Sequence, residues 1–253
     1  MASLCESLSP DLKKVLRRLK LGQMQATLPE RLVLARQRKM PHEDFLLQVL
    51  ADECGRRDQL SAQTRAHKGK LDPTMVLEAW DDTAEVTYDH ALWGELCTLR
   101  FLDSHHGVLL LGPVGVGKTF LANALGHIAC RRGRSVLMSR TDTLLRELKA
   151  ARLDNSYDQE VRRIITVDLL ILDDFALDSM DAVESRDVYD IIVERHRRGS
   201  IIVTSNREPS EWLVMMADPI KAQSAIDRLA NSAYELIVEG KSYRERQKPT
   251  VTP

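Results

Sequence analysis

Gly112-Pro113-Val114-Gly115-Val116-Gly117-Lys118-Thr119 brings three glycines, a lysine and a hydroxyl into the spacing of a phosphate-binding loop. Glycines let backbone N–H groups turn inward around phosphate oxygens without a Cβ in the way. Lys118 supplies a point charge for the β- and γ-phosphates, and the Thr119 hydroxyl is a ligand for Mg²⁺. Phe120 continues the segment into a helix whose N-terminus adds partial positive charge. A second segment, Leu169-Leu170-Ile171-Leu172-Asp173-Asp174, is an apolar strand ending in two acids. Phosphoryl transfer needs an acid beside Mg²⁺, and Asp173 suits that role through water. Asp174 is placed to orient or deprotonate the attacking water. Ser200 to Asn206 is a further strand with a polar end, where Asn206 can hydrogen-bond water or the γ-phosphate and Thr204 or Ser205 can share the task. Arg228 lies in Ala225-Ile226-Asp227-Arg228-Leu229. It reads either as an arginine finger for a neighbouring subunit's nucleotide or as half of a local pair with Asp227.

The elements that must hold these residues follow from hydrophobic patterning. Strands are expected at Val108–Leu111, Ser135–Ser139, Asp168–Asp173, Ser200–Thr204 and Tyr234–Val238, with helices between them. Near-continuous apolar strands separated by helices indicate a parallel sheet covered on both faces. Phe120–Arg132 is the helix after the loop. Thr141 or Asp142 can cap the helix that runs through about Ala151. Asp181 with Glu184 forms a capping box opening a helix to Arg197. Upstream, Asp11–Lys20 places Leu12, Val15, Leu16 and Leu19 on one helical face, with further helices over Gln25–Lys39 and His42–Gln63. In the last of these, Leu46, Val49 and Leu50 form an apolar stripe. The expected organisation is a helical domain over 1–70, a connector over 71–87, and a nucleotide-binding domain over 88–253.

The 253 residues carry a net charge of −1, so the whole chain is no polycation. The charge is uneven, however. Asp11 to Lys70 holds fourteen Lys and Arg against seven Asp and Glu. That excess points to a nucleic-acid-facing module, with Lys13, Lys14, Arg17, Arg18, Arg56 and Arg57 as phosphate contacts; the alternative is a solvated helical surface. Cys5, Cys54, Cys97 and Cys130 are scattered without a C-x-x-C pair and read as reduced thiols. The sequence opens without a charged-then-apolar leader, and no apolar run is long enough to cross a bilayer, so a cytoplasmic setting without membrane partners is expected. His105 and His106 lack partners at metal-ligand spacing and read as a turn. Trp80, Trp93 and Trp212 read as packing residues, with Trp80 in the connector also able to touch DNA or a partner. Met215 and Met216 read as helix core or interface.

Taken together, the phosphate-binding loop, Ala124-Leu125-Gly126-His127, Asp168 to Phe175, Ile202-Val203-Thr204-Ser205-Asn206, Asp218-Pro219 and Ile226-Asp227-Arg228-Leu229 closely resemble IstB-type insertion-sequence ATPases. These are transposition helpers of the AAA+ class, related to the DnaC helicase loader. Gly240-Lys241-Ser242-Tyr243-Arg244 is similar to that group's C-terminal signature, and Leu19-Lys20-Leu21-Gly22 with Met24 to its N-terminal one. The resemblance implies an α/β fold with an AAA+ five-stranded parallel sheet flanked by helices, a small all-α N-terminal domain and no C-terminal lid. It further implies use of ATP and Mg²⁺, self-association into a homo-oligomer on duplex DNA, and help to a cognate transposase in target selection. Under it Arg228 is the trans-acting finger, Asn206 the sensor, and Arg244 a candidate second sensor. Relatives often carry Asp-Phe-Gly after the paired acids; here Phe175 is followed by Ala176. Two other readings share the loop. One is an adaptor that loads a replicative helicase with ATP as a switch, in which the N-terminal helices grip the helicase. The other is a small-molecule kinase, which the Thr-Ser-Asn strand end and the Asp-Arg helix fit less well.

Overall fold

Apolar runs without polar alternation bury both faces of a sheet, and that is the arrangement adopted. The computed structural model describes residues 8–81 and 86–243; Cys5 and Arg244 lie outside them. The central sheet contains β2 (Gly107–Leu111), β3 (Val136–Arg140), β4 (Leu169–Asp173), β5 (Ser200–Ser205) and β6 (Ala233–Ile237), all parallel in the order β3-β4-β5-β2-β6. The five expected strands are present, displaced by a residue at some ends. A two-stranded antiparallel ribbon, β1 (Val86–Thr87) with β7 (Glu239–Gly240), was not anticipated from the sequence.

The two-residue strand period sorts the core into two layers. Val108, Leu110, Ile171, Ile202 and Leu236 face one side, where they meet α4 (His90–Cys97), α5 (Arg100–Asp103) and α6 (Lys118–Arg131). Leu109, Leu170, Leu172 and Val203 face the other. There they pack on α7 (Thr141–Leu153), α8 (Tyr157–Thr166), α9 (Ala182–Arg195) and α10 (Pro219–Ala230). The capping box at Asp181 and Glu184 is formed, with Asp181 accepting from Val183 N and Glu184 N at 2.8 and 2.9 Å. The cap of α7 differs from expectation. Its N-cap is Arg140, with no side-chain cap bond, because the Thr141 hydroxyl is drawn inward to the Asp173 carbonyl at 3.1 Å. Helix α9 ends at Arg195, short of Arg197, because Arg197 takes a positive φ of 62°. Among the described residues no helical lid follows β6, and no helix is long and apolar enough to cross a membrane.

The chain divides into two compact units, the first ending at Ser61. That unit holds α1 (Pro10–Arg18), α2 (Leu28–Gln37) and most of α3 (His42–Lys68). The helix expected over Gln25–Lys39 begins only at Leu28, after a separate 3₁₀ turn at Gly22–Gln25. Pro29 explains the break, since its missing N–H and fixed φ suit the first turn of a new helix. The small core is Leu8, Leu16, Met24, Leu28 and Val49. Of the apolar stripe on α1 only Leu16 is buried, and of the stripe on α3 only Val49; Leu12, Val15, Leu19, Leu46 and Leu50 are exposed.

Candidate functional site

Strand β2 delivers the chain into the loop, and the backbone there needs glycine. Gly112 has φ +146°, and a Cβ on it would fall 2.0 Å from the Val238 carbonyl oxygen. Gly117 has φ +100°, and a Cβ would fall 2.8 Å from the Trp80 ring. The loop is therefore roofed by its own neighbours. Trp80 packs tilted against Phe120 with ring centroids 5.2 Å apart, and Tyr243 N–H donates to the Gly115 carbonyl at 2.9 Å. Trp80 is thus a packing residue of the loop. Val116 is buried, whereas Val114 stands exposed at the loop's tip.

Lys118 opens α6 and is 6% exposed. Its ammonium donates to the carbonyls of Gly112 and Pro113 at 2.8 and 2.7 Å and to Asn206 Oδ1 at 2.6 Å. The polar end of β5 therefore meets the loop lysine, as its strand position requires. Asp173 ends β4 and is 5% exposed. One of its oxygens, Oδ1, accepts from the Thr119 hydroxyl at 2.9 Å and from the Thr204 hydroxyl at 2.6 Å. Burial raises the Asp173 pKa above the ordinary carboxylate value, and the neighbouring charge of Asp174 adds to this; the two hydroxyl bonds oppose it. A carboxylate whose charge is under-compensated beside a threonine hydroxyl is a hard-oxygen donor set of the kind that holds Mg²⁺. Asn123 fixes the turn of α6 below, donating from Nδ2 to the Thr119 carbonyl at 2.9 Å.

Asp174 turns away from Asp173. It has φ +52°, and its N–H donates to Thr204 Oγ1 at 3.0 Å. Its carboxylate lies 3.7 Å from Arg140 Nε, at a cavity of about 210 Å³. Ala176 takes φ +53°, a conformation that costs a residue with a Cβ. Ser205 does not serve the site. It is fully buried, donating to the Phe175 carbonyl at 2.9 Å and accepting from Trp212 Nε1 at 3.1 Å.

The structure brings Lys118, Thr119, Asp173, Thr204 and Asn206 together, with Asp174 beside them, but not Arg228. Arg228 lies near the strand starts, lining a small cavity with Gly107, His196, Ile201 and Ser232. It bonds Ser224 through the hydroxyl and, at 2.7 Å, the carbonyl, rather than Asp227. The loop lies at the opposite strand ends, roughly 13 Å away along a five-residue strand. In the N-terminal unit, Lys14, Arg17 and Arg18 are exposed and Lys13 is half-buried. Arg56 and Arg57 both pair with Glu53, each at 2.7 Å, and the Arg56 bond is the main cause holding the Glu53 carboxyl down at about 2. The i+3 and i+4 spacing from Glu53 carried that signal in the sequence. His105 takes φ +54° in a turn, and His106 leads from it into β2.

The family model described as IstB-like ATP binding protein matches residues 14–251. An insertion-sequence ATP-binding protein of Mycobacterium tuberculosis is 37% identical over 248 residues, spanning 98% of each chain. One from the insertion sequence IS21 of Pseudomonas aeruginosa is 31% identical over 238 residues, 94% of this chain and 90% of that one. Among solved structures, DnaI matches with a TM-score of 0.56 at 23% identity, over 64% of this chain and 90% of that chain. The DnaC helicase loader matches with a TM-score of 0.54 at 18% identity, over 66% and 97%. These two likenesses are of fold: a five-stranded parallel sheet flanked by helices, with a phosphate-binding loop after β2.

Proposed function

This chain belongs to the IstB-like ATP-binding protein family, and from that premise we propose that it hydrolyses ATP, assembles on duplex DNA and assists a transposase in choosing and using its target. The observation that carries the reading is the division of the catalytic set. Lys118, Thr119, Asp173, Thr204 and Asn206 converge on one end of the sheet, while Arg228 is held at the other. A guanidinium that cannot reach its own subunit's loop completes a neighbour's site, so turnover requires assembly.

Within one subunit the loop amides and Lys118 bind the triphosphate. Thr119 and Asp173 would hold Mg²⁺, which supplies neutralising charge on the β/γ-oxygens. Asn206 exchanges its bond with Lys118 for one to the γ-phosphate or water. Asp174 accepts the proton of the attacking water, and Arg228 of a neighbouring subunit stabilises charge on the transferring phosphoryl group. The exposed Lys14, Arg17 and Arg18 supply DNA phosphate contacts, so affinity for duplex DNA falls steeply with salt. The likeness to the DnaC loader supports a shared fold, and the insertion-sequence relatives favour transposition over helicase loading.

A mixing experiment tests the division. Arg228→Ala chains keep a complete loop, and Lys118→Ala chains keep a complete finger. Each alone should be inactive with MgATP and duplex DNA, and the mixture should regain turnover. A mixture that stays as inactive as its parts rejects the shared site. Electron microscopy on duplex DNA with a non-hydrolysable ATP analogue should show assemblies that Lys118→Ala does not form.

A further inference from the structure

The small cavity at the strand starts has a wall that the proposed chemistry does not use. It measures about 20 Å³, and Arg195, His196, Gly199, Arg228 and Ser232 line it. Arg195 is fully buried, and its two terminal nitrogens donate to five backbone carbonyls. Its Nε–H has no partner, the one such buried side-chain nitrogen or oxygen among the described residues. Those five bonds fix the guanidinium, and it packs so closely on Gly199 that a Cβ there would fall 2.7 Å from Nη2. A buried donor without an acceptor is costly, and more so on a charged group. Charge points the same way. Among the described residues, Arg195 and Arg228 bond only neutral oxygens, those of backbone carbonyls and of the Ser224 hydroxyl. Asp168, the acid whose charge reaches Arg195, gives its carboxylate to the Ser135 N–H and hydroxyl at 2.7 and 2.6 Å. Burial, then the charges of Arg197 and Arg228, lower the His196 pKa, the mark of a positive local field.

We propose that this cavity binds a single chloride ion, which accepts from the Arg195 Nε–H and balances the charge of Arg228. Size selects the ion. A space of about 20 Å³ admits one water-sized particle and excludes a polyatomic oxyanion such as phosphate. The field selects an anion over water, because water would satisfy the Nε–H but leave both guanidiniums uncompensated. His105, also on the wall, is exposed, so the cavity opens to solvent and the ion can exchange. Binding needs neither nucleotide nor a second subunit. It favours the folded chain by mass action, because the unfolded chain has no such cavity.

Crystals of the full chain soaked in sodium bromide test the site directly, because bromide takes the place of chloride and scatters anomalously. One anomalous peak is expected within hydrogen-bonding reach of Arg195 Nε. A water there with no anomalous signal overturns the inference. Thermal unfolding tests it in solution, with sodium chloride exchanged for sodium gluconate at fixed ionic strength, since gluconate is too large to enter. Tm should rise by about 3–5 °C for each tenfold increase in chloride once the site begins to fill. Arg195→Met removes the donor but is expected to weaken the whole fold, so Arg228→Gln is the variant to compare. It takes one charge from the wall and should shift the onset of that rise to about tenfold higher chloride. A Tm that ignores chloride, or that climbs identically in wild type and Arg228→Gln, overturns the inference.

Discussion

Two clusters of buried charge sit at opposite ends of one parallel sheet, and they are wired differently. At the strand ends, Lys118 and Asp173 are held by a few side-chain oxygens and two loop carbonyls, and burial leaves the Asp173 pKa raised. At the strand starts, Arg195 is fully buried and donates to five backbone carbonyls. Three belong to Ile164, Ile165 and Val167, at the end of α8, and two to Asp168 and Ser200 beside β4 and β5. Burial lowers the Arg195 pKa to about 10, so it stays charged at neutral pH. The first cluster uses partners that a phosphate or a metal can replace. The second uses main-chain oxygens fixed by the fold, and it also faces the negative end of the α8 dipole. A charge kept for function has exchangeable partners; a charge kept for architecture is tied to backbone, here through both terminal nitrogens of Arg195 while its Nε has no partner.

That contrast predicts which currency each substitution spends. Arg195→Met keeps an unbranched apolar stem but removes the guanidinium that donates to the buried carbonyls. It should destabilise the fold by roughly 3–5 kcal/mol, read from urea unfolding. A loss under about 1 kcal/mol would mean that the carbonyls find other donors and that the contrast is false. Lys118→Ala should do the reverse. Turnover should fall on the order of a thousandfold while Tm stays within about 3 °C, because the site is built to exchange the lysine's partners.

Asp173→Asn sharpens the comparison further, since it should move the two currencies in opposite directions. The folded pKa of Asp173 is raised, so the folded state binds more protons than the unfolded state between the ordinary aspartate value and the folded one. Stability from this group therefore falls as pH rises through that window. Asparagine keeps an oxygen for the Thr119 and Thr204 hydroxyls without the charge. Tm at pH 7 should hold or rise by about 2–4 °C, while MgATP turnover drops at least about a hundredfold. A lowered Tm would show that the carboxylate is structural.

What could be read in the chain beforehand tracks the range of the interactions. The loop from Gly112 to Thr119, the strand before it and the acid pair at Asp173 are local patterns, and each folds where expected. The capping box at Asp181 is likewise a four-residue signal. Arg195 was not legible, because in Glu194-Arg195-His196-Arg197-Arg198 it looks like surface charge, and its acceptors come from α8, β4 and β5. The packing of Trp80 on Gly117 and the approach of Arg140 to Asp174 were hidden for the same reason: both pairs are brought together only by the tertiary fold. In the N-terminal unit the helix of α1 forms where its period placed it. A helical period on α1 was visible, but a period does not supply the facing element, and Leu12, Val15 and Leu19 remain exposed.

The smallest expected effect lies in a second structural charge, Asp187 on α9. It is 2% exposed, pairs with Arg152 through both oxygens, and accepts from the Tyr157 hydroxyl at 2.8 Å. The Arg152 guanidinium lies 4.0 Å from the Tyr157 ring centroid, so the three residues tie α7, α8 and α9 together. Tyr157→Phe removes one donor and leaves the ion pair and the ring, which should cost only about 1 kcal/mol. Burial and the Asp187 bond raise the Tyr157 pKa to about 12, so above pH 10 the unfolded tyrosine ionises while the folded one keeps its proton. Stability from this group thus falls as pH rises from about 10 toward 12, and Tyr157→Phe should lack that part of the decline. Urea unfolding at pH 7 and pH 10.5 should show the gap between wild type and Tyr157→Phe narrowing at the higher pH. A gap that widens would mean that the folded protein favours the ionised tyrosine, which is incompatible with a hydroxyl that donates to the Asp187 carboxylate, and the donor reading of this cluster would fail.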